Sequence, residues 1–337
     1  MKSGHIARTI RTTAGLAGFL AFTVPLPGAE LKPPLQALRH PNYTLIVAQR
    51  LDRPVTEARM PVRVIERLRG DSDVPDEIEL LVQAGDEESV EAGKAYLLFY
   101  SDVERVNFKP RKEIRRPDRR KLLHIDGAGP AVFEDTPRIR ALLDPAHSAI
   151  EQGPQYRAIV LEGLASDDPV MVDLWSAEWT LRPATFAEVK SEEICLLRGI
   201  VEDPAQRPAA RTRILVAGAR RTSPAAGRWY AASAHAILDQ TLPAQLDDST
   251  GLSQLVYASL RIAQGYPDAA TAPQLRKWLK AKPPLAENAA LALRAIEPEL
   301  ERQAVRSAIA DEATPDETQL FLADHLRRLE RVNSKTQ

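Results

Sequence analysis

The chain has 337 residues, with 45 lysines and arginines against 46 acids and 44% apolar residues. That charge balance argues against a general nucleic-acid binder, which carries a clear basic excess, while the apolar share is enough to bury a core. A single cysteine, Cys195, excludes an intramolecular disulfide and a cysteine metal cage, and its apolar run Ile194-Cys195-Leu196-Leu197 is that of a buried, inert thiol.

At the amino terminus Lys2, Arg8 and Arg11 precede the apolar stretch Ala14 to Val24, and no acid occurs before Glu30. A basic segment followed by a short apolar run is the pattern of an export signal, and it falls short of the roughly 20 apolar residues that span a bilayer. Residues 1–29 are therefore expected to be a signal peptide, ending at Gly28-Ala29. The mature chain is expected in the periplasm or outside the cell, without a transmembrane span. The Pro-rich stretch 30–41 reads as a linker.

From 42 to 134 the apolar residues come in short runs and alternations, the period of strands. Tyr43 to Ala48, Ala58 to Leu68, Ile78 to Val82 and Ala95 to Tyr100 are predicted strands, with turn chemistry at Arg69-Gly70-Asp71-Ser72-Asp73-Val74-Pro75. Leu122 to Ile125, the turn Asp126-Gly127-Ala128-Gly129-Pro130 and Ala131 to Phe133 suggest a hairpin. Several short strands without intervening helices favour a small antiparallel barrel. The runs Leu45 to Ala48, Val62 to Gly70 and Gly93 to Phe99 resemble the strand pattern of netrin-like domains related to tissue inhibitors of metalloproteases. That resemblance implies an OB-like barrel. The cysteines of the animal family are absent, including the N-terminal one that engages a protease metal, so the inhibitory chemistry does not carry over.

Near residue 135 the period changes to 3.6, the signature of helices with one apolar stripe, and it holds over 137–333. Tyr156, Ile159, Val160, Gly163 and Leu164 form one stripe; Leu252, Leu255, Val256, Ser259, Leu260 and Ala263 another; Leu285, Ala289, Ala292, Leu293 and Ile296 a third. Asp168-Pro169, Asp203-Pro204, Ser223-Pro224, Glu297-Pro298 and Thr314-Pro315 each place a capping residue before a proline at an expected helix start. Paired helices, Asp-Pro openings and Ala-rich faces such as Ala231-Ala232-Ser233-Ala234 are similar to HEAT-like repeats, which present an extended surface to a partner. An ordinary bundle is the alternative. The fold class is thus α+β, mostly α: a small barrel followed by a helical, solenoid-like domain.

The sequence offers no motif for catalysis. The histidines are scattered without an HExxH pair, and no GxSxG elbow, GxxxxGK[ST] loop or GxGxxG turn occurs. No metal site and no cofactor is expected. Asp167, Asp168 and Asp173 read as one helix cap and two solvated carboxylates. Trp175 and Trp179, one turn apart, read as core.

Two basic features remain. Between Arg105 and Lys121 lie Arg111, Lys112, Arg115 and Arg116, either a partner contact or a solvated loop that balances the acidic stretch Asp71 to Glu91. Between Asp203 and Asp239 there is no acid, yet Arg207, Arg211, Arg213, Arg220, Arg221 and Arg228 are present. Like charges at helical spacing repel by a few tenths of a kcal/mol per pair unless neutralised. Either acids such as Glu188, Glu192 or Asp247 neutralise them, or an anionic partner docks there. On the docking reading, charge reversal of Arg211, Arg213 and Arg220 weakens binding and leaves the stack folded. The function expected is a non-enzymatic exported interaction or assembly protein, binding a protein or an anionic envelope component. An envelope-acting enzyme or enzyme regulator, protease-inhibitor-like ones included, is the alternative.

Overall fold

In Val62-Arg63-Val64-Ile65 every second side chain is apolar and inward: Val62 and Val64 are buried, while Arg63 and Ile65 face solvent. The computed structural model describes residues 32–55, 58–70, 73–82, 90–105, 118–123, 129–144, 155–182, 185–246 and 251–334. Among the described residues six strands form a small module: β1 (Thr44–Arg50), β2 (Arg59–Arg69), β3 (Glu77–Leu81), β4 (Ala95–Arg105), β5 (Asp118–Leu123) and β6 (Val132–Glu134). The order β1-β2-β3-β5-β4 closes through pairing of β1 with β4, giving a five-stranded, OB-like barrel. It is mixed rather than antiparallel, because β3 and β5 run parallel. Ile46, Met60, Val62, Leu80, Leu98 and Tyr100 fill its interior.

The hairpin expected around 122–133 does not form. β5 pairs with Tyr100–Arg105 and β6 with Tyr96–Leu98, so the two lie in tandem along the edge of β4 that faces away from β1. At 11 residues β4 is long enough to receive both. The expected turn at Asp126-Gly127-Ala128 lies outside the described residues, as does the expected signal peptide 1–29. At Gly70 the backbone has φ +100°, and a β-carbon would stand 2.7 Å from Thr44 Cα, so only glycine fits the turn after β2.

The stretch 30–41, expected as a linker, holds instead a short helix, α1 (Pro34–Leu38), with Leu35, Ala37 and Leu38 buried. Its prolines open a helix rather than extend the chain, because Pro34 takes a first-turn position where no donor is lost. Eleven further helices follow among the described residues: α2 (Pro137–Leu142), α3 (Tyr156–Leu164), α4 (Pro169–Leu181), α5 (Ile194–Glu202), α6 (Pro208–Arg221), α7 (Trp229–Gln240), α8 (Leu252–Gly265), α9 (Ala272–Trp278), α10 (Pro283–Ile296), α11 (Pro298–Ile309) and α12 (Asp316–Ser334). α4, α6, α8 and α10 pack on one another in chain order, and α5, α7 and α9 form a parallel outer row. This two-row stacking is the arrangement of a solenoid.

The apolar stripes fall where the 3.6 period put them: Tyr156, Val160 and Leu164 of α3, Leu255, Val256 and Leu260 of α8, and Ala289, Ala292 and Leu293 of α10 are buried. Asp168 caps α4, its Oδ1 accepting from Val170 N–H at 2.9 Å. Asp203 does not open a helix. It ends α5 and holds a turn, accepting from Ala205 N–H, and α6 starts only at Pro208.

Residues 32–337 form one unit, joined around Glu178 of α4. This carboxylate is 0% exposed and accepts from Leu35 N–H of α1 at 2.5 Å, from the Tyr156 hydroxyl at 2.5 Å and from Arg182 Nε at 2.7 Å. Arg69 of β2 donates to Leu38 O, and Arg39 Nη2 to Leu142 O at 2.6 Å. α1 thus joins the barrel to the stack.

Candidate functional site

The arginines of the acid-free stretch do not share one outward face. Arg211 is 5% exposed, and its Nε donates to Val201 O of α5 at 2.9 Å. Arg213 donates to Asp173 Oδ1, and Arg207 Nη1 stands 3.7 Å from Asp173 Oδ2. Arg221 donates to Trp179 O at 2.8 Å and Thr180 O at 2.6 Å, with its guanidinium 5.0 Å over the Trp179 ring. Arg228 lies 5.1 Å over the Tyr266 ring, and Arg220 is exposed at the end of α6.

The partners of Arg211 and Arg221 are among the last carbonyls of neighbouring helices, which have no donor within their own helix and carry the negative end of its dipole. Burial lowers the pKa of both Arg211 and Arg221. The carboxylate in the group is Asp173. It was expected to be a solvated acid and is 5% exposed instead, because Arg213 draws it into the contact between α4 and α6. Among the acids expected to neutralise the stretch, Asp247 lies outside the described residues. So do Arg111, Lys112, Arg115 and Arg116. Cys195 is exposed, not buried: Leu197, Ile200 and Val201 set the inner face of α5, and Cys195 falls off it.

Concave space lined by cations lies further along the stack. The outer row continues through α5, α7 and α9, but α11 stands apart from α9, and a groove of about 480 Å³ opens between them. Arg276, Lys277 and Lys280 line one side, and Gln303, Ala304, Ser307 and Ala308 the other, with Asp311 at one end. The small side chains Ala304 and Ala308 leave the floor low. Lys280 Nζ stands 2.5 Å from Asp311, and Lys280 together with the Ala313 N–H holds that carboxyl below its ordinary range. Lys277 Nζ donates to Asp239 O at 2.9 Å, beside Trp278, whose ring nitrogen donates to Leu238 O at 3.1 Å. Arg276 is exposed, and among the described residues no carboxylate pairs with it.

The groove therefore presents three cations and two neutral donors against one acid, with Gln303 also donating to Glu299 at 3.4 Å. Such a set has the donors to bind an oxyanion. It is not among the residues singled out from sequence, although a signal of the same kind was there: 269–286 contains Arg276, Lys277, Lys280 and Lys282 and no acid. What sequence does not reveal is that Gln303 and Ser307 lie opposite.

The other buried acids serve helix contacts. Glu193 receives Arg157 Nε at 2.6 Å, and Glu301 of α11 receives Arg294 of α10 at 2.6 Å and His325 of α12 at 2.9 Å. Trp175 and Trp179 are core. Among the described residues no cluster of three or more His, Cys, Asp or Glu could hold a metal ion, and no helix is long and apolar enough to cross a membrane. No protein-family model, curated protein or solved structure matches this chain.

Proposed function

We propose that this protein is a non-catalytic, exported interaction protein whose helical stack binds an anionic partner at the groove between α9 and α11. The observation that carries this reading is the groove's donor set: Arg276, Lys277 and Lys280 facing Gln303 and Ser307, with Asp311 as the one acid. Stacked helix pairs offer extended surfaces for partners, and cation-lined clefts concentrate anionic ones. The chain order of the two helix rows and the barrel's strand order support the likeness to HEAT-like repeats and to OB-type, netrin-like modules. The basic and apolar leader supports export, with a place of action in the periplasm or outside the cell.

The experiment is affinity purification of the tagged full-length chain after mild crosslinking in its native envelope fraction, beside the Arg276→Glu variant. An anionic partner recovered in stoichiometric amount with the wild type, and reduced at least tenfold with the variant, is the expected result. Recovery of the same partner by both chains moves the binding face elsewhere, and a solitary wild-type protein ends the interaction reading.

A further inference from the structure

Resting on that reading, we infer that the groove between α9 and α11 is a site for a phosphate group carried on a larger molecule. Arg276 near the end of α9 and Lys280 in the turn that follows it line one wall, and Gln303 and Ser307, one turn apart at i and i+4 on α11, line the other. The donors thus stand on two facing walls. A planar carboxylate is satisfied by a single guanidinium fork and leaves the opposite wall without an acceptor. A tetrahedral phosphate has three or more acceptor oxygens pointing in different directions, and can take the Arg276 fork, the Lys280 ammonium and the neutral donors of α11 together.

Size and charge narrow the class further. About 480 Å³ exceeds what one phosphate fills and lies in the range of small-molecule sites, so the ligand brings a body as well as its phosphate. Lys277 is already engaged by Asp239 O, and Lys280 by Asp311, which leaves Arg276 as the principal anchor. Asp311 opposes the ligand. It shares Lys280 and repels an incoming anion, so it weakens the site. A soluble phosphoester and a phospholipid headgroup present the same chemistry.

The test is calorimetric titration of the full-length chain with inorganic pyrophosphate at low ionic strength. Expected are saturable binding, a loss of at least tenfold for Arg276→Gln, partial recovery for Arg276→Lys, and a several-fold gain for Asp311→Asn, in which the amide keeps the turn. Arg327→Glu on α12 changes the net charge at an exposed position outside the groove, and wild-type affinity is expected for it. Flotation with phosphatidylglycerol vesicles, against phosphatidylcholine alone, distinguishes the headgroup source from the soluble one. The inference falls if pyrophosphate does not bind, if Arg327→Glu costs as much as Arg276→Gln, or if Asp311→Asn weakens binding. Should pyrophosphate fail while envelope capture still depends on Arg276, the interaction reading stands and the phosphate assignment alone is wrong.

Discussion

A β-carbon at Gly163 would lie 2.2 Å from Trp175 Cδ1, far inside contact distance, and Trp175 is too buried to yield. Gly163→Ala is therefore expected to cost about 1–3 kcal/mol, the range of overpacked cores, read as a lower urea midpoint; an unchanged midpoint would mean that α3 and α4 part freely there. Two titrating side chains contribute to the pH dependence. Burial, opposed by the charge of Asp268, holds the His235 imidazole below its ordinary 6.5, so the unfolded chain takes up that proton first and stability falls as pH drops below 6.5. Burial pushes the Glu301 carboxyl up, but hydrogen bonds from His325 and Arg294 outweigh it and bring it below its ordinary 4.5. Its contribution is complete above 4.5 and is lost as pH falls further towards the folded-state value. Urea midpoints measured across pH should show both declines, with His235→Gln flattening the upper one and Glu301→Gln the lower. A profile left unchanged by either substitution contradicts the assignment.

Within elements, the arginines of α6 show how the same residues carry two readings. From sequence they are cations without acids, and an outside partner is the natural neutraliser. In the fold Arg211 and Arg221 are tied to carbonyls at the ends of α5 and α4, a partner that no charge count reveals. Arg211→Glu is expected to lower the melting temperature heavily, and Arg211→Met to cost about 1–3 kcal/mol for the orphaned carbonyl. Retention of stability by both would return Arg211 to the surface. The strands and helical stripes were legible because their periods are local, as Val62 and Val64 or Leu255 and Val256 illustrate. Strand partners were not. Alternation identifies β5 and β6 as strands but says nothing of the edge that receives them, and the length of β4 decided it. The same limit hid α1, whose prolines look like a linker until Glu178 is seen to accept from Leu35 N–H.

Across the whole molecule, the change of period near residue 135 separates barrel from stack, while the joint between them and the groove both depend on residues far apart in sequence. Arg276 and Ser307 line one groove only because α9 and α11 stand on either side of it, so the candidate site was visible from one wall alone, as an acid-free basic stretch. The joint at α1 implies cooperative unfolding. All four tryptophans lie in the stack, so their fluorescence reports the helices while tyrosine signals include the barrel. Coincident transitions are expected for the wild type, and separated ones for Leu35→Asp, which puts an unpaired charge beside Glu178. Two transitions in the wild type would show the modules to be independent. The claim that the groove receives the partner is tested most directly by placing a photo-crosslinking side chain at Ser307 and, as a comparison, at the exposed Leu320 of α12. Expected is a crosslink to the anionic partner from position 307 and none from 320. Equal crosslinking from both positions, or a crosslink from 320 alone, would contradict the assignment of the groove as the binding site.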